Sequence, residues 1–205
     1  MKDRIAQTLG HQFDRFSVKS HPIILVDWKN ITNENLKVYS ELPVRHLESG
    51  GVVNGVILYN ELQYNTHIDA FAENALNYSK KRRSKQCECI VYPCNANVEE
   101  WVLFIETKYA NNISLAFDPQ FDYPNCAIRQ IRETVQFFRD KNIIAQDKIV
   151  NAMISFPNLG EAFNSFVFRD ENSILDIFLS DGIIIRATNY ARIIDDIEIE
   201  LMAEA

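Results

Sequence analysis

The stretch WVLFIETKYA, residues 101–110, decides the fold. Its first five positions are apolar, which is typical of a strand that is buried on both faces of a sheet. Glu106 and Lys108 follow at a spacing of two, so their side chains point to the same side of the sheet. A carboxylate beside an ammonium is unexpected at the end of a core strand, and the pair therefore indicates a functional site.

Composition sets the broad class of the protein. The chain has 205 residues, of which 47% are hydrophobic and 24% charged, as in an ordinary globular protein with one well-buried core. The net charge of −7 argues against a protein coated with basic surface for nucleic acid. No segment is apolar enough to span a bilayer, and residues 1–16 lack the apolar core of a signal peptide. We therefore expect a cytoplasmic protein without a membrane partner.

The four cysteines do not indicate a metal site. They form no CxxC pair, and no histidine lies at a spacing typical of zinc sites. We expect reduced thiols at Cys87, Cys89, Cys94 and Cys126.

Two neighbouring strands are predicted around the opening stretch. The sequence CECIVYP at 87–93 ends at Pro93, a polar loop follows, and the apolar run 101–109 returns. Two apolar runs separated by turn residues predict an antiparallel hairpin.

A predicted helix lies on each side of this hairpin in the sequence. Residues 66–83 carry an apolar stripe at helical spacing, and Thr66 with Asp69 fits a capping box. Residues 124–141 carry a second apolar face that includes Ile128 and Phe138.

Weaker patterns cover the rest of the chain. Ile5, Leu9 and Phe13 predict an amphipathic helix over residues 2–17. The Asp181-Gly182 pair between two apolar runs predicts a β-hairpin. The remaining predicted strands are 22–28, 52–62, 113–117 and 148–156.

The predicted elements bring several charged side chains together. In an antiparallel hairpin the start of one strand lies beside the end of the other, so we expect Glu88 close to Glu106 and Lys108. Glu73 lies at the edge of the stripe on the predicted helix 66–83 and would lean over the same end of the sheet. Carboxylates that share such a site repel one another, and a Mg²⁺ or Mn²⁺ ion relieves that repulsion.

This pattern resembles the PD-(D/E)xK nuclease superfamily, whose members share an αβββαβ core with an acid at the start of one strand and (D/E)xK at the end of the next. The resemblance covers roughly residues 66–156. It implies an α/β protein with a restriction-endonuclease-like core, in which helices flank a mixed central sheet. Residues 1–65 would be an N-terminal extension, and residues 157–205 a C-terminal hairpin and tail, of one domain.

The resemblance also implies roles for individual residues. Glu106 and Lys108 would be the ends of the ExK element, with Glu88 in place of the usual aspartate. Glu73 would be the acid of the first core helix, and Gln130 would assist from the second. The chain departs from the commonest pattern at Glu88, which is a glutamate and follows Cys87 rather than a proline.

Five cations in six residues form a basic run between the predicted helix and the hairpin. Two interpretations are open: the cations complement the dipole at a helix C-terminus, or they contact a phosphate backbone. The basic run consists of Lys80, Lys81, Arg82, Arg83 and Lys85.

The resemblance implies a metal-dependent phosphodiesterase that acts on nucleic acid, with DNA expected before RNA. Small, stand-alone members of this kind occur in mobile-element, restriction or phage-defence settings. For this chain a homodimer or a complex with a partner subunit is also open. A second hypothesis is a non-catalytic binding or regulatory module that keeps the fold, which the acidic net charge favours. A third is a small acidic adaptor or immunity protein without a metal. In either case Glu106 and Lys108 would be a charge pair at the rim of the sheet.

Overall fold

The computed structural model describes residues 1–27, 44–47, 54–79, 82–95, 100–160, 162–168 and 173–203, with only the backbone of 44–47, 79 and 82–83. The helices are α1 (Lys2–Leu9), α2 (Ile113–Ala116), α3 (Tyr123–Asp140), α4 (Asn164–Val167) and α5 (Ile174–Asp181). The first strands are β1 (Phe13–Val18), β2 (Ile23–Asp27), β3 (Val44–Leu47), β4 (Val56–Tyr59), β5 (Thr66–Phe71), β6 (Asn77–Ser79) and β7 (Arg82–Arg83). The later strands are β8 (Cys89–Pro93), β9 (Leu103–Thr107), β10 (Val150–Ser155), β11 (Ile183–Ala187), β12 (Tyr190–Ile193) and β13 (Ile199–Leu201).

The central element is a six-stranded mixed sheet with the order β1-β5-β8-β9-β10-β11. Neighbours from β1 to β9 are antiparallel, whereas β9, β10 and β11 are parallel. The chain is therefore an α/β protein with a mixed sheet, as predicted. The predicted hairpin is observed as β8 and β9, and the second predicted helix is observed as α3.

Strand β9 is buried at every position because both faces of the central sheet are covered. Phe104 belongs to a core that includes buried apolar residues from each of the described helices, whereas Leu103 and Ile105 belong to a core on the opposite face. This alternation explains the continuous apolar run in the sequence.

A second sheet covers the face of the central sheet that the helices leave open. It has five strands in the order β13-β12-β4-β2-β3, and Ile23, Val56 and Ala191 from its strands lie in the same core as Ile105. We expected helices on both faces of the central sheet. The described helices pack on one face only, and the second sheet covers the other. Strands from both ends of the chain build this second sheet, and β1 and β11 widen the central sheet beyond residues 66–156.

The helix predicted over residues 66–83 is wrong. Residues Thr66–Phe71 form β5, which lies between β1 and β8 and is buried at every position. The spacing of its apolar residues resembles the stripe of an amphipathic helix. A strand that is buried on both faces has no polar side that would distinguish it from such a helix. Its position between two other strands decides its conformation. The segment then continues into the small pair of β6 and β7.

Asp69 is a buried ion-pair residue rather than a capping acid. It is fully buried on β5, and Arg15 on β1 is its register partner. Arg15 donates from Nε to Asp69 Oδ1 at 2.6 Å and from Nη2 to Oδ2 at 2.7 Å. The Tyr92 hydroxyl donates to Oδ2 at 2.8 Å. Three hydrogen bonds thus compensate the carboxylate for its loss of water.

Two predicted strand features are also wrong. Residues Ile113–Ala116 form α2, because the side chain of Asn112 accepts a hydrogen bond from the Leu115 N–H and caps the helix. The predicted hairpin at Asp181-Gly182 is instead the end of α5. Gly182 has φ 61° and donates its N–H to the Phe178 carbonyl, as a glycine that ends a helix does.

The predicted N-terminal helix covers only part of residues 2–17. Helix α1 ends at Leu9, Gly10 follows with φ 60°, and the chain then enters β1. Within the part of the chain that the structure describes, no helix has the length and apolar character needed to cross a membrane.

Candidate active site at the end of strand β9

The site is built around the ion pair at the end of β9. Glu106 is fully buried, and the Lys108 amine donates a hydrogen bond to its Oε1. Lys108 also donates to Gln130 Oε1 at 3.0 Å. The backbone N–H of Lys108 donates to the Ser155 carbonyl, which holds the end of β9 against β10. Hydrogen bonds therefore hold Lys108 at both its backbone N–H and its side-chain amine.

Gln130 connects this pair to the chain segment before β8. It lies on α3, whose buried residues Ile128 and Ile131 pack on the central sheet. Its Nε2 donates to the Gln86 carbonyl at 2.8 Å while its Oε1 accepts from Lys108. Both ends of the amide are engaged, so the side chain has one orientation.

Glu88 directly precedes β8, at the end of the sheet where the pair lies. Its N–H donates to the Ile105 carbonyl at 3.0 Å, next to the register pair of Ile105 and Cys89. Burial alone would lower the pKa of Lys108, but the charge of Glu106 and its hydrogen bond outweigh burial and raise it, and the charge of Glu88 adds to the rise.

Among the residues of the site, the pKa of Glu106 gives the most information about the local electrostatics. Burial raises its pKa to about 7, although the charge of Lys108 and its hydrogen bond oppose the rise. Its second oxygen, Oε2, is buried and has no hydrogen-bond partner among the described residues. An unpaired carboxylate oxygen in the interior is costly unless another group binds it.

Asp27 is an acidic residue of this region that the sequence interpretation missed. It ends β2 in the second sheet and is 1% exposed. Its N–H donates to the Tyr109 hydroxyl at 3.3 Å, and that hydroxyl donates to the Asn54 carbonyl at 3.2 Å. The charge of Asp27 helps to raise the pKa of Glu106. An aspartate at the end of the apolar run 23–26 was the available signal.

Glu73 is not on a helix over the sheet. It lies exposed in the turn after β5, because the predicted first core helix is a strand. Lys80 and Lys81 of the basic run lie outside the described residues, whereas Arg82 and Arg83 form β7. Lys85 is exposed, and the run follows no helix, so the helix-dipole interpretation is wrong.

Comparisons of the chain with protein-family models, with curated proteins and with solved structures found no match. Among the described residues, no three His, Cys, Asp or Glu side chains form a group that could hold a metal ion. A function must therefore be argued from the pair of Glu106 and Lys108 and the groups around it.

The raised pKa of Glu106 predicts that its contribution to stability changes with pH. The pKa rises from 4.5 to about 7 on folding, so the folded state favours the protonated acid. This stabilisation is complete below the unfolded pKa and is lost as the pH rises through about 7, by on the order of 3 kcal/mol. Urea unfolding with a chelator, from about pH 5 to about pH 8, should show the loss.

Glu106→Gln should reduce this pH dependence, because the amide does not titrate, whereas Glu100, whose pKa burial also raises to about 7, still contributes. The control Glu61→Gln removes an exposed acid in the turn after β4 and should leave the dependence unchanged. An equal pH dependence in wild type and Glu106→Gln would contradict the assignment to Glu106.

Proposed function

We propose that the chain is a metal-dependent phosphodiesterase that acts on nucleic acid, with DNA as the expected substrate and endonucleolytic cleavage as the expected reaction. One observation carries the proposal. A buried carboxylate oxygen, Glu106 Oε2, has no hydrogen-bond partner among the residues that the structure describes, and the same carboxylate accepts from a lysine amine that Gln130 holds in place. A vacant anionic ligand beside a fixed cation suits chemistry at a phosphate group.

The order of the elements supports a restriction-endonuclease-like core. Strands β5, β8 and β9 are three antiparallel neighbours, and α3 then leads to β10 beside β9. This order is compatible with the βββαβ part of the core that the resemblance implies. The helix that precedes it is α1, with β1 to β4 between them, rather than residues 66–83.

The proposed cofactor is a Mg²⁺ or Mn²⁺ ion. Such ions prefer oxygen ligands and often bind only one or two carboxylates, with water and phosphate oxygens as further ligands. Glu106 would hold the ion through Oε2, together with the neighbouring Glu88. The bound ion would supply activation of water and stabilisation of negative charge at phosphorus.

The other residues of the site would then have distinct roles. Lys108 would orient the attacking water or stabilise the charge that develops on the phosphate oxygens. Gln130 would position the amine of Lys108 through its bond to the Gln86 carbonyl. Burial, with the charge of Asp27 as a smaller cause, would keep the pKa of Glu106 high, so that protons compete with the ion near neutral pH.

The test is divalent-ion-dependent nicking of plasmid DNA, with ion binding measured by calorimetry on the same preparation. We expect Mn²⁺ or Mg²⁺ to bind and to support nicking, and chelation to abolish both. A protein that binds neither ion and cuts neither DNA nor RNA would refute the phosphodiesterase. The non-catalytic binding module, which the net charge of −7 favours, would then be the better hypothesis.

The basic run offers a separate prediction about substrate binding. Replacing Lys81, Arg82 and Arg83 by alanine should weaken DNA binding and lower the slope of log K against log salt by about 2 to 3, because each phosphate contact releases counterions. Fluorescence anisotropy at several salt concentrations measures the slope.

A matched control removes three cations elsewhere. Lys2, Arg4 and Lys19 are exposed in the N-terminal segment, and their replacement changes the net charge by the same amount. If both triple variants lower the slope equally, general electrostatics explains the result and the basic run has no specific role.

A further inference from the structure

The side-chain hydroxyl of Thr134 joins two segments of the candidate active site. Thr134 lies on α3, one turn after Gln130, and is fully buried. Its Oγ1 accepts a hydrogen bond from the Cys87 N–H at 2.9 Å and donates one to the Gln130 carbonyl at 2.7 Å. One hydroxyl therefore connects the residue directly before Glu88 with the residue whose side chain holds Lys108.

The peptide group between Gln86 and Cys87 is bonded to α3 through both its carbonyl and its N–H. The carbonyl accepts from Gln130 Nε2 at 2.8 Å, and the N–H donates to Thr134 Oγ1. These two side chains lie four residues apart on the helix, so they can reach the same segment. Residues 84–87 belong to no strand, and the bonds to α3 satisfy backbone groups that a strand ladder would otherwise satisfy.

Packing alone does not explain a threonine at this position. Ile131 and Val135, which also lie on the buried side of α3, are apolar members of the core. A valine would have the same branched shape as Thr134 without burying a polar group. The hydroxyl is tolerated because it both donates and accepts a hydrogen bond, and its particular contribution is the bond to another segment of the chain.

The bond to Cys87 fixes the backbone immediately before Glu88. Cys87 is fully buried, so water does not reach its N–H to replace the hydroxyl as acceptor. The next N–H, that of Glu88, donates to the Ile105 carbonyl at 3.0 Å. Two successive backbone groups are thus held, one by α3 and one by β9, and together they determine where the chain enters β8.

We propose that Thr134 is a positioning residue of the candidate active site, whose hydroxyl places the backbone of Glu88 relative to Gln130 and the Lys108 amine. Thr134 acts through the peptide group that it holds and does not itself contact the ion or the substrate. The inference rests on the function proposed above, since this placement affects catalysis only if the site cleaves a phosphodiester. Even small displacements of groups that contact the reacting atoms slow a reaction strongly.

Substitutions at Thr134 separate the hydroxyl from the shape of the side chain. Thr134→Val keeps the branched shape and removes the hydroxyl, whereas Thr134→Ser keeps the hydroxyl. We expect Thr134→Val to lower kcat for Mn²⁺-dependent plasmid cleavage by about 10- to 100-fold at unchanged KM, because the catalytic groups are displaced while the DNA contacts remain. Thr134→Ser should restore most of kcat. If circular dichroism shows that Thr134→Val does not fold, Thr134→Ala removes the same hydroxyl without placing a second methyl group beside the Cys87 N–H.

The matched control is another fully buried threonine, at the opposite end of the central sheet. Thr66 begins β5 beside Pro93 of β8, and its hydroxyl donates to the Tyr64 carbonyl at 3.2 Å. Thr66→Val makes the same chemical change as Thr134→Val and should keep the wild-type kcat.

NMR spectroscopy of the ion-free protein tests the same link without any measurement of cleavage. Thr134→Val should shift the side-chain amide signals of Gln130 and the backbone N–H signal of Glu88, because the segment between them is no longer held. It should also speed hydrogen exchange at the Cys87 N–H, which loses its acceptor. Thr134→Ser and Thr66→Val should both keep the wild-type signals at these positions.

Three results would overturn the inference: Thr134→Val spectra that match the wild type at these positions, a Thr134→Val kcat equal to that of the wild type, or a loss of kcat in Thr134→Ser or Thr66→Val as large as in Thr134→Val. A wild type that cuts neither DNA nor RNA, with the expected spectral changes present, would instead refute the proposed function. The spectra would then still establish that Thr134 positions Glu88 and Gln130.

Discussion

Lys108→Ala should lower the rate of metal-dependent plasmid cleavage by about 10²- to 10³-fold, the loss typical of removing one group that stabilises a transition state. The amine is partly buried and bonded to Glu106 and Gln130, and no other cation bonds to these two side chains among the described residues. Ion binding should survive because an amine supplies no oxygen ligand. Ion binding should require a higher pH, because the charge of Lys108 opposes the rise in the pKa of Glu106 and its loss lets that pKa rise further.

Glu106→Gln is the complementary variant. It keeps an oxygen that can accept from Lys108 but removes the ionised carboxylate, so ion binding and cleavage should fall together. The exposed lysine variant Lys19→Ala serves as the control and should keep both properties. Undiminished cleavage by Lys108→Ala, or unchanged ion binding by Glu106→Gln, would contradict the assigned roles.

Asp69→Ala should destabilise the protein by about 2–4 kcal/mol, somewhat less than for a fully buried pair, because it leaves a partly buried cation without its partner. Asp69 is fully buried, and the Arg15 side chain is 17% exposed, so water can replace little of the lost interaction. The Tyr92 hydroxyl also loses its acceptor. Urea unfolding followed by tryptophan fluorescence measures the loss.

Two further variants separate the ion pair from general effects. Replacing both Arg15 and Asp69 by leucine should recover much of the stability, since no uncompensated charge remains buried. Asp147→Ala removes an exposed aspartate and should change the free energy of unfolding by less than about 0.5 kcal/mol. If Asp69→Ala and Asp147→Ala behave alike, the buried ion pair contributes little.

Long apolar runs with clear ends could be predicted from the sequence. Pro93 and the polar loop after it delimit the hairpin of β8 and β9, and the apolar face of residues 124–141 is long enough to identify α3. The hairpin geometry then places Glu106 and Lys108 correctly at the end of β9. Their chemical roles and the bound ion remain proposals.

Short segments could not be assigned because their patterns fit two conformations. Apolar residues three and four apart in 66–83 suit a helix, yet burial between β1 and β8 makes Thr66–Phe71 a strand. The Asp181-Gly182 pair suits a tight hairpin, but a glycine with positive φ also ends a helix. Asp27 was missed because nothing in the sequence of residues 22–28 reveals that their strand shares a hydrophobic core with β9.

The second sheet makes folding of this chain dependent on distant segments. Strand β4 pairs with β12, so Ile57 must meet Tyr190 before the sheet is complete. Contacts between residues so far apart in sequence raise the contact order, and the entropy of loop closure slows their formation. Strand β2 pairs with β4 in that sheet and ends at Asp27. Asp27, whose charge acts on Glu106, therefore belongs to a sheet that is complete only when segments from both ends of the chain have met.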